Sequence, residues 1–170
     1  MILINGRGQL GSELEKNKHK FLIEETVIYH TWDFMDKSKE KQRKLYLDLV
    51  DFVDNFDNTK RFVFISTKST NQDFYTKYKR LSERYINDIL SYFLIINLPN
   101  IIGKGVCDLF KYDKDIQAWG KLELITLEKA CESIIDKCNI QYPFGKTFDI
   151  DGEIISAQLA KDLIRFGAKE

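Results

Sequence analysis

The sequence predicts a doubly wound α/β domain with a small C-terminal α+β portion. Two observations carry this. Short apolar runs at 1–5 (MILIN), 26–30 (TVIYH), 61–66 (RFVFIS) and 92–97 (YFLIIN) lack polar alternation, as strands buried on both faces do. Stretches with helical spacing separate them, and strands alternating with helices imply a parallel sheet covered on both sides. At 170 residues the chain fits a single domain, 1–170.

Each element has its own signal. After 1–5 come GRGQLG and SELEKNK, where Leu10 and Leu14 are four apart, so the first unit is strand, glycine turn and short helix. Residues 37–56 predict a long helix with Leu45, Leu49, Phe52 and Phe56 on one face. A second helix, 74–90, sets Phe74, Tyr78, Leu81, Tyr85 and Ile89 in a stripe, and the strand at 92–97 stops at Leu98-Pro99. Beyond 100 the pattern loosens: short strands at 115–119 and 122–126 around Gly120, a helix at 127–138, a strand at 146–150 and a last helix at 156–166. Trp119 is expected in the core.

Composition excludes several classes. Lys+Arg and Asp+Glu are both 26, so the net charge is zero and no basic excess points to nucleic acid. Hydrophobic residues at 44% exclude a disordered chain. Three cysteines, Cys107, Cys131 and Cys138, are too few and too far apart for a disulfide framework or a Cys-x-x-Cys site, and His19 and His30 have no ligand at metal spacing. No metal is therefore expected. No apolar run approaches the ~20 residues that span a bilayer, and MILINGRG is not a signal peptide, so a cytoplasmic protein without a membrane is the expectation.

Two motifs point to chemistry. Gly6-x-Gly8-x-x-Gly11 directly follows a strand and opens a helix, where glycines allow a tight turn and close approach to a pyrophosphate. The helix N-terminus then offers free N–H groups to the phosphate charge; a glycine turn without a ligand is the bland alternative. Tyr75 and Lys79 stand four apart on a helix just after a strand ending in Ser66-Thr67. Such residues share a face, and a lysine beside a tyrosine favours the phenolate, making Tyr75 a candidate general acid/base. The bland alternative is a solvated helix face. Trp32 follows the strand at 26–30 and either stacks on a ligand ring or packs. The Lys-rich stretch 37–44 reads as a solvated helix start.

Together these segments resemble the extended short-chain dehydrogenase/reductase family, also described as NAD-dependent epimerase/dehydratases, and within it the dTDP-4-dehydrorhamnose reductases. MILINGRGQLGSEL resembles the family's opening strand and glycine loop, VIYHTWDF its fourth strand, and KRFVFISTKS the strand carrying the catalytic Ser or Thr. YTKYK matches Tyr-x-x-x-Lys; INLPNIIGKG, LITLEKACESII and KTFDIDGEIISAQLAKDLI are similar to later family segments in the same order. The resemblance implies a truncated Rossmann-like sheet, with 1–100 the core and 101–170 a reduced substrate-binding portion. It implies NAD or NADP as cofactor, held by Gly6, Gly8, Gln9, Leu10, Gly11 and Pro99. It implies Thr67, Tyr75 and Lys79 as the catalytic set, with Trp32 and Asn100 toward a nucleotide-sugar substrate. It also implies a homodimer.

The chain departs from the family in one region above all. About eight residues, near 18–25, stand where the family has its second and third strands with their helices. No Asp or Glu ends a strand ~20 residues past the glycines to hold the adenosine ribose; Glu24 and Glu25 precede a strand instead. The adenine-binding half is thus expected to be missing, leaving 1–5 at the sheet edge and dinucleotide binding weak or lost. Arg7, inside the loop, either pairs with a 2′-phosphate or faces solvent. Two functions follow: an NAD(P)-dependent reductase, epimerase or dehydratase acting on a nucleotide-linked sugar, or a non-catalytic relative that binds a sugar nucleotide or a partner protein.

Overall fold

The computed structural model describes residues 2–6, 8–23, 25–33, 35–102, 110, 115 and 117–166; for 2–5 and 166 it describes the backbone alone. Arg7, Glu24 and Cys107 lie outside the described residues, as do Gly103, Lys104 and Gly105 of INLPNIIGKG. The main sheet comprises β1 (Ile2–Asn5), β2 (Thr26–Tyr29), β3 (Arg61–Thr67), β4 (Phe93–Leu98) and β7 (Lys146–Asp149) in the order β1-β2-β3-β4-β7. All four pairings are parallel, as expected for the first four strands. β1 ends the order, also as expected.

Strand β3 shows why both faces are apolar. Val63 and Ile65 point to one side, where they join Ile28, Leu94 and Ile96 under α1 (Gln9–Lys16) and α4 (Leu127–Asn139). Leu10 and Leu14 of α1 and Ala130, Cys131, Ile134 and Cys138 of α4 complete that cluster. Phe62 and Phe64 point the other way, to Tyr29, Phe93 and Ile95, under α2 (Lys39–Asp54) and α3 (Phe74–Ile89) through Leu49, Val53 and Ile86. Side-chain period two thus serves two helical layers at once. The helix starts are capped as their sequences suggest. Ser38 accepts from the Lys41 amide at 3.3 Å, Asp73 from Thr76 at 2.8 Å and Thr126 from Lys129 at 3.2 Å.

The second sheet is small: β5 (Asn100–Ile101), β6 (Lys121–Ile125) and β8 (Glu153–Ser156), with β5 parallel and β8 antiparallel to β6. α5 (Ala157–Phe166) covers it through Ala160, which meets Leu124 and Phe110. Two expectations fail here. The described positions of 115–119 form no strand; the chain runs irregularly to Gly120, whose φ of 76° turns it into β6. Trp119 is 79% exposed, not core. Its small neighbour Ala118 takes the place against the Leu124 cluster, and the indole N–H is satisfied locally by Gln117 Oε1 at 3.1 Å.

A buried cation ties β2 and β3 to the end of α4. Arg61, 1% exposed at the start of β3, donates to the carbonyls of Cys138 and Ile140 (3.1 Å for the latter) and to Thr26 Oγ1 at 3.2 Å. It thereby satisfies free carbonyls at the C-terminal end of α4, where a cation also opposes the helix dipole. Among the described residues no helix is long and apolar enough to cross a membrane, and no cluster of metal-ligating side chains occurs.

Candidate functional site

The carboxyl ends of parallel strands gather the chemistry, because each βα turn opens on that edge. Gly6 follows β1, Trp32 follows β2, Thr67 ends β3, and Pro99 and Asn100 follow β4.

The glycine loop is tight. A Cβ on Gly6 would stand 2.7 Å from the carbonyl oxygen of His30, and one on Gly11 would lie inside van der Waals contact of the Gly6 carbonyl. Both positions therefore admit only glycine, and α1 starts directly behind the loop with Gly8 as its N-cap and Gln9 as its first residue. Leu10 contributes through backbone alone, since its side chain is buried in the core beside Leu14. The first amides of α1 have no side-chain cap at Gly8, which leaves donors facing the loop.

Thr67 and Tyr75 are brought together: the Thr67 hydroxyl, which accepts from the Ser69 amide at 3.1 Å, lies near enough to the Tyr75 phenol to favour its ionised form. Burial nevertheless pushes the Tyr75 phenol up to about 12, the Asp73 carboxylate adds to the rise, and the Thr67 hydroxyl and Arg80 oppose it. Tyr75 therefore carries its proton at neutral pH. The Lys37 ammonium stands 5.7 Å from its ring centroid.

Lys79 points elsewhere. Its ammonium, 2% exposed, donates to the carbonyl of Ile65 at 2.7 Å and lies 4.5 Å from the ring centroids of both Trp32 and Phe64. Burial pulls its pKa down to about 7. Trp32 is packed on Phe64 (centroids 5.9 Å apart, edge-on), and its N–H donates to Gln42 Oε1 at 2.8 Å. Gln42 in turn donates to the carbonyls of Asp33 and Asp36 at 2.7 and 2.6 Å, so this indole is fixed from within. Asn100 is exposed and donates to the Glu123 carbonyl at 3.2 Å.

Several polar residues around the site carried no sequence signal. Arg80 donates to the carbonyls of Thr67 (2.7 Å) and Ser69 (3.2 Å) and pairs with Glu83 at 2.5 Å, while Ser66 donates to Glu83 as well. This network holds the β3 end from which the Thr67 side chain projects. Glu123 accepts from Lys68 at 2.6 Å and from the Gly152 amide at 2.8 Å, tying the same strand end to the small sheet. Only Arg80–Glu83, three apart on one helix, could have been read as a pair beforehand.

No protein-family model matches the chain, and no curated protein sequence does. Solved structures match at the level of fold. A dTDP-4-dehydrorhamnose reductase from Bacillus anthracis str. Ames, solved in complex with NADP, aligns with a TM-score of 0.73 at 13% identity, covering 98% of this chain and 80% of that one. A Clostridium acetobutylicum dTDP-4-dehydrorhamnose reductase aligns with a TM-score of 0.69 at 18% identity, covering 96% and 78%. MoeE5, in complex with UDP-glucose and NAD, gives 0.69 at 12% identity, covering 96% and 80%. The chain thus has, in shortened form, the Rossmann-like fold shared by NAD-dependent epimerase/dehydratase and dTDP-4-dehydrorhamnose reductase structures.

Proposed function

We propose that the protein is an NAD(P)-dependent oxidoreductase- or epimerase-type enzyme acting on a nucleotide-linked sugar. The observation that supports this best is the Thr67–Tyr75 pair at the end of β3, on the same sheet edge as the Gly6–Gly11 loop. The fold neighbours were solved with NAD, NADP and UDP-sugars, which adds to the reading. The loop suits a pyrophosphate, since the positions that any Cβ would block are glycine.

When bound, the nicotinamide supplies hydride chemistry. The chain's own residues position and protonate. The Gly8 end of α1 and its first amides would hold a cofactor phosphate. Thr67 orients the sugar oxygen by hydrogen bonding. Tyr75 holds the proton on its phenol oxygen, with a pKa near 12, and delivers it to that oxygen as charge develops there during reduction of a keto-sugar. Arg80 and Glu83 keep the Thr67 backbone in place. Lys79 supports the site from beneath, bridging β3 to Trp32. The protein acts as a homodimer in the cytoplasm.

The test is turnover of UDP- and dTDP-linked keto-sugars with NADH or NADPH. Tyr75→Phe keeps the packing ring and is expected to lower the rate ~10²–10⁴-fold with an unchanged melting temperature. Full activity in the variant would refute the assignment. A second reading, a non-catalytic binder of sugar nucleotides or of a partner protein, is favoured by one observation: the Lys79 ammonium is committed to the Ile65 carbonyl. Binding of a UDP-sugar without turnover under any cofactor would support it.

A further inference from the structure

The half of the fold that would read adenosine has no place in this chain. Folds of this kind combine two mononucleotide-binding halves in the strand order 3-2-1-4-5-6, and the acidic residue on the first half holds the adenosine ribose. Here β1 pairs with β2 in parallel, Ile2 opposite Thr26 and Asn5 opposite Tyr29, and β1 closes the order β1-β2-β3-β4-β7. The sheet is therefore the 1-4-5-6 side, extended by β7.

The deletion is internal. Residues 6–25 link β1 to β2, and their regular structure is α1 and a 3-10 turn at Lys18–Lys20. Each extra parallel strand needs a crossover of a dozen or more residues, so no further strand fits in that link. The described carboxylates there are used or misplaced. Glu13 and Glu15 sit on α1 and pair with Lys16 at 3.3 Å and Lys18 at 3.0 Å. Glu25 stands just before β2 with φ of 60°, and its carbonyl accepts from the Arg61 amide at 3.0 Å. Phe21 folds back into the α1–α4 cluster, and Leu22 and Lys20 are tied to Asn139 at 2.7 and 2.9 Å, so this link runs toward α4. On the opposite side, Trp32 follows β2, Thr67 ends β3 and Asn100 opens β5 just after β4.

Resting on the cofactor reading above, we infer that the site recognises its cofactor through the nicotinamide mononucleotide half alone, so that the mononucleotide binds as well as the dinucleotide. The glycine loop takes the phosphate adjoining the nicotinamide ribose, and the adenosine end lies on the β1 side, where the described residues add no further strand. An adenosine contact that contributes nothing leaves affinity unchanged when it is removed.

Calorimetric titration of the full chain with NADH, reduced nicotinamide mononucleotide and ADP tests this directly. Dissociation constants for the two nicotinamide compounds within fivefold of each other, with ADP binding more than fivefold weaker than either, are expected. NADH binding more than fivefold tighter than the mononucleotide, or ADP binding within fivefold of NADH, would overturn the inference while leaving the cofactor reading in place. Binding of neither nicotinamide compound would overturn both.

Discussion

Replacing Lys79 with Met removes a titrating group from the centre of the molecule and should flatten the dependence of stability on pH. The ammonium is held between Trp32 and Phe64 and bonded to the Ile65 carbonyl, and burial lowers its pKa from 10.5 to about 7. Below pH 7 both folded and unfolded chains hold the proton. Between 7 and 10.5 the unfolded chain holds it and the folded chain does not, so stability rises with pH. The full slope is ~1.4 kcal/mol per pH unit, and integration from pH 7 to 9 gives on the order of 2 kcal/mol, or roughly 4–8 °C in Tm for a chain of this size. Other groups act later and with the opposite sign. Burial raises the thiols of Cys131 and Cys138 from 9.0 to about 11 and about 12, and the Tyr75 phenol from 10.0 to about 12. Each holds its proton longer folded than unfolded, so stability falls above pH 9. The wild-type protein should therefore be most stable near pH 9. Urea unfolding at pH 6, 7, 8 and 9 reads this out. Lys79→Met is expected to lose the rise between 7 and 9, at the cost of ~1 kcal/mol for the lost bond to Ile65. Parallel pH profiles for the two proteins would refute the reasoning.

Gly11→Ala places a methyl against the Gly6 carbonyl, a backbone atom that cannot turn aside. A loss of ~1–3 kcal/mol in urea unfolding, with weakened NADH binding, is expected; unchanged stability would show that α1 shifts freely. Arg61→Met leaves the Cys138 and Ile140 carbonyls at the end of α4 without their donor and should cost ~2–4 kcal/mol by the same measurement. The outer side of α2 and α3 exposes Leu47, Phe74 and Ile89, each at 40–49%. Sedimentation equilibrium is expected to show a dimer, and a 20.0 kDa species at high concentration would refute it.

Period and punctuation made the main sheet legible. Four uninterrupted apolar runs and the helices between them predict β1 to β4 and their parallel order. The small sheet was less readable. β5 is two residues long, and β8 follows Gly152 in a stretch, EIIS, whose apolar residues are partly exposed, so neither has a periodic signal. Trp119 shows that an aromatic side chain is not a core marker when a local acceptor such as Gln117 satisfies its N–H. At the site, adjacency along one strand end was readable, and it places Thr67 by Tyr75. Direction was not. Tyr-x-x-x-Lys spacing puts two residues on one helical face, but whether the ammonium turns to the phenol or to the sheet depends on Ile65, Phe64 and Trp32, which come from other elements. The same holds for Arg80, whose partners are the carbonyls of Thr67 at the end of β3 and of Ser69 in the loop after it.

The buried guanidinium of Arg61 makes tolerance to deletion lopsided. On the β1 side the main sheet of the described residues ends, away from the Arg61 guanidinium and its carbonyl partners. On the other side the last third of the chain supplies both β7, which flanks β4, and the carbonyls that solvate Arg61. A chain cut before α4 would lose the carbonyls bonded to Arg61 together with the helix that covers Val63, Leu94 and Ile96. The residues after 126 are therefore a condition for folding of the N-terminal strands.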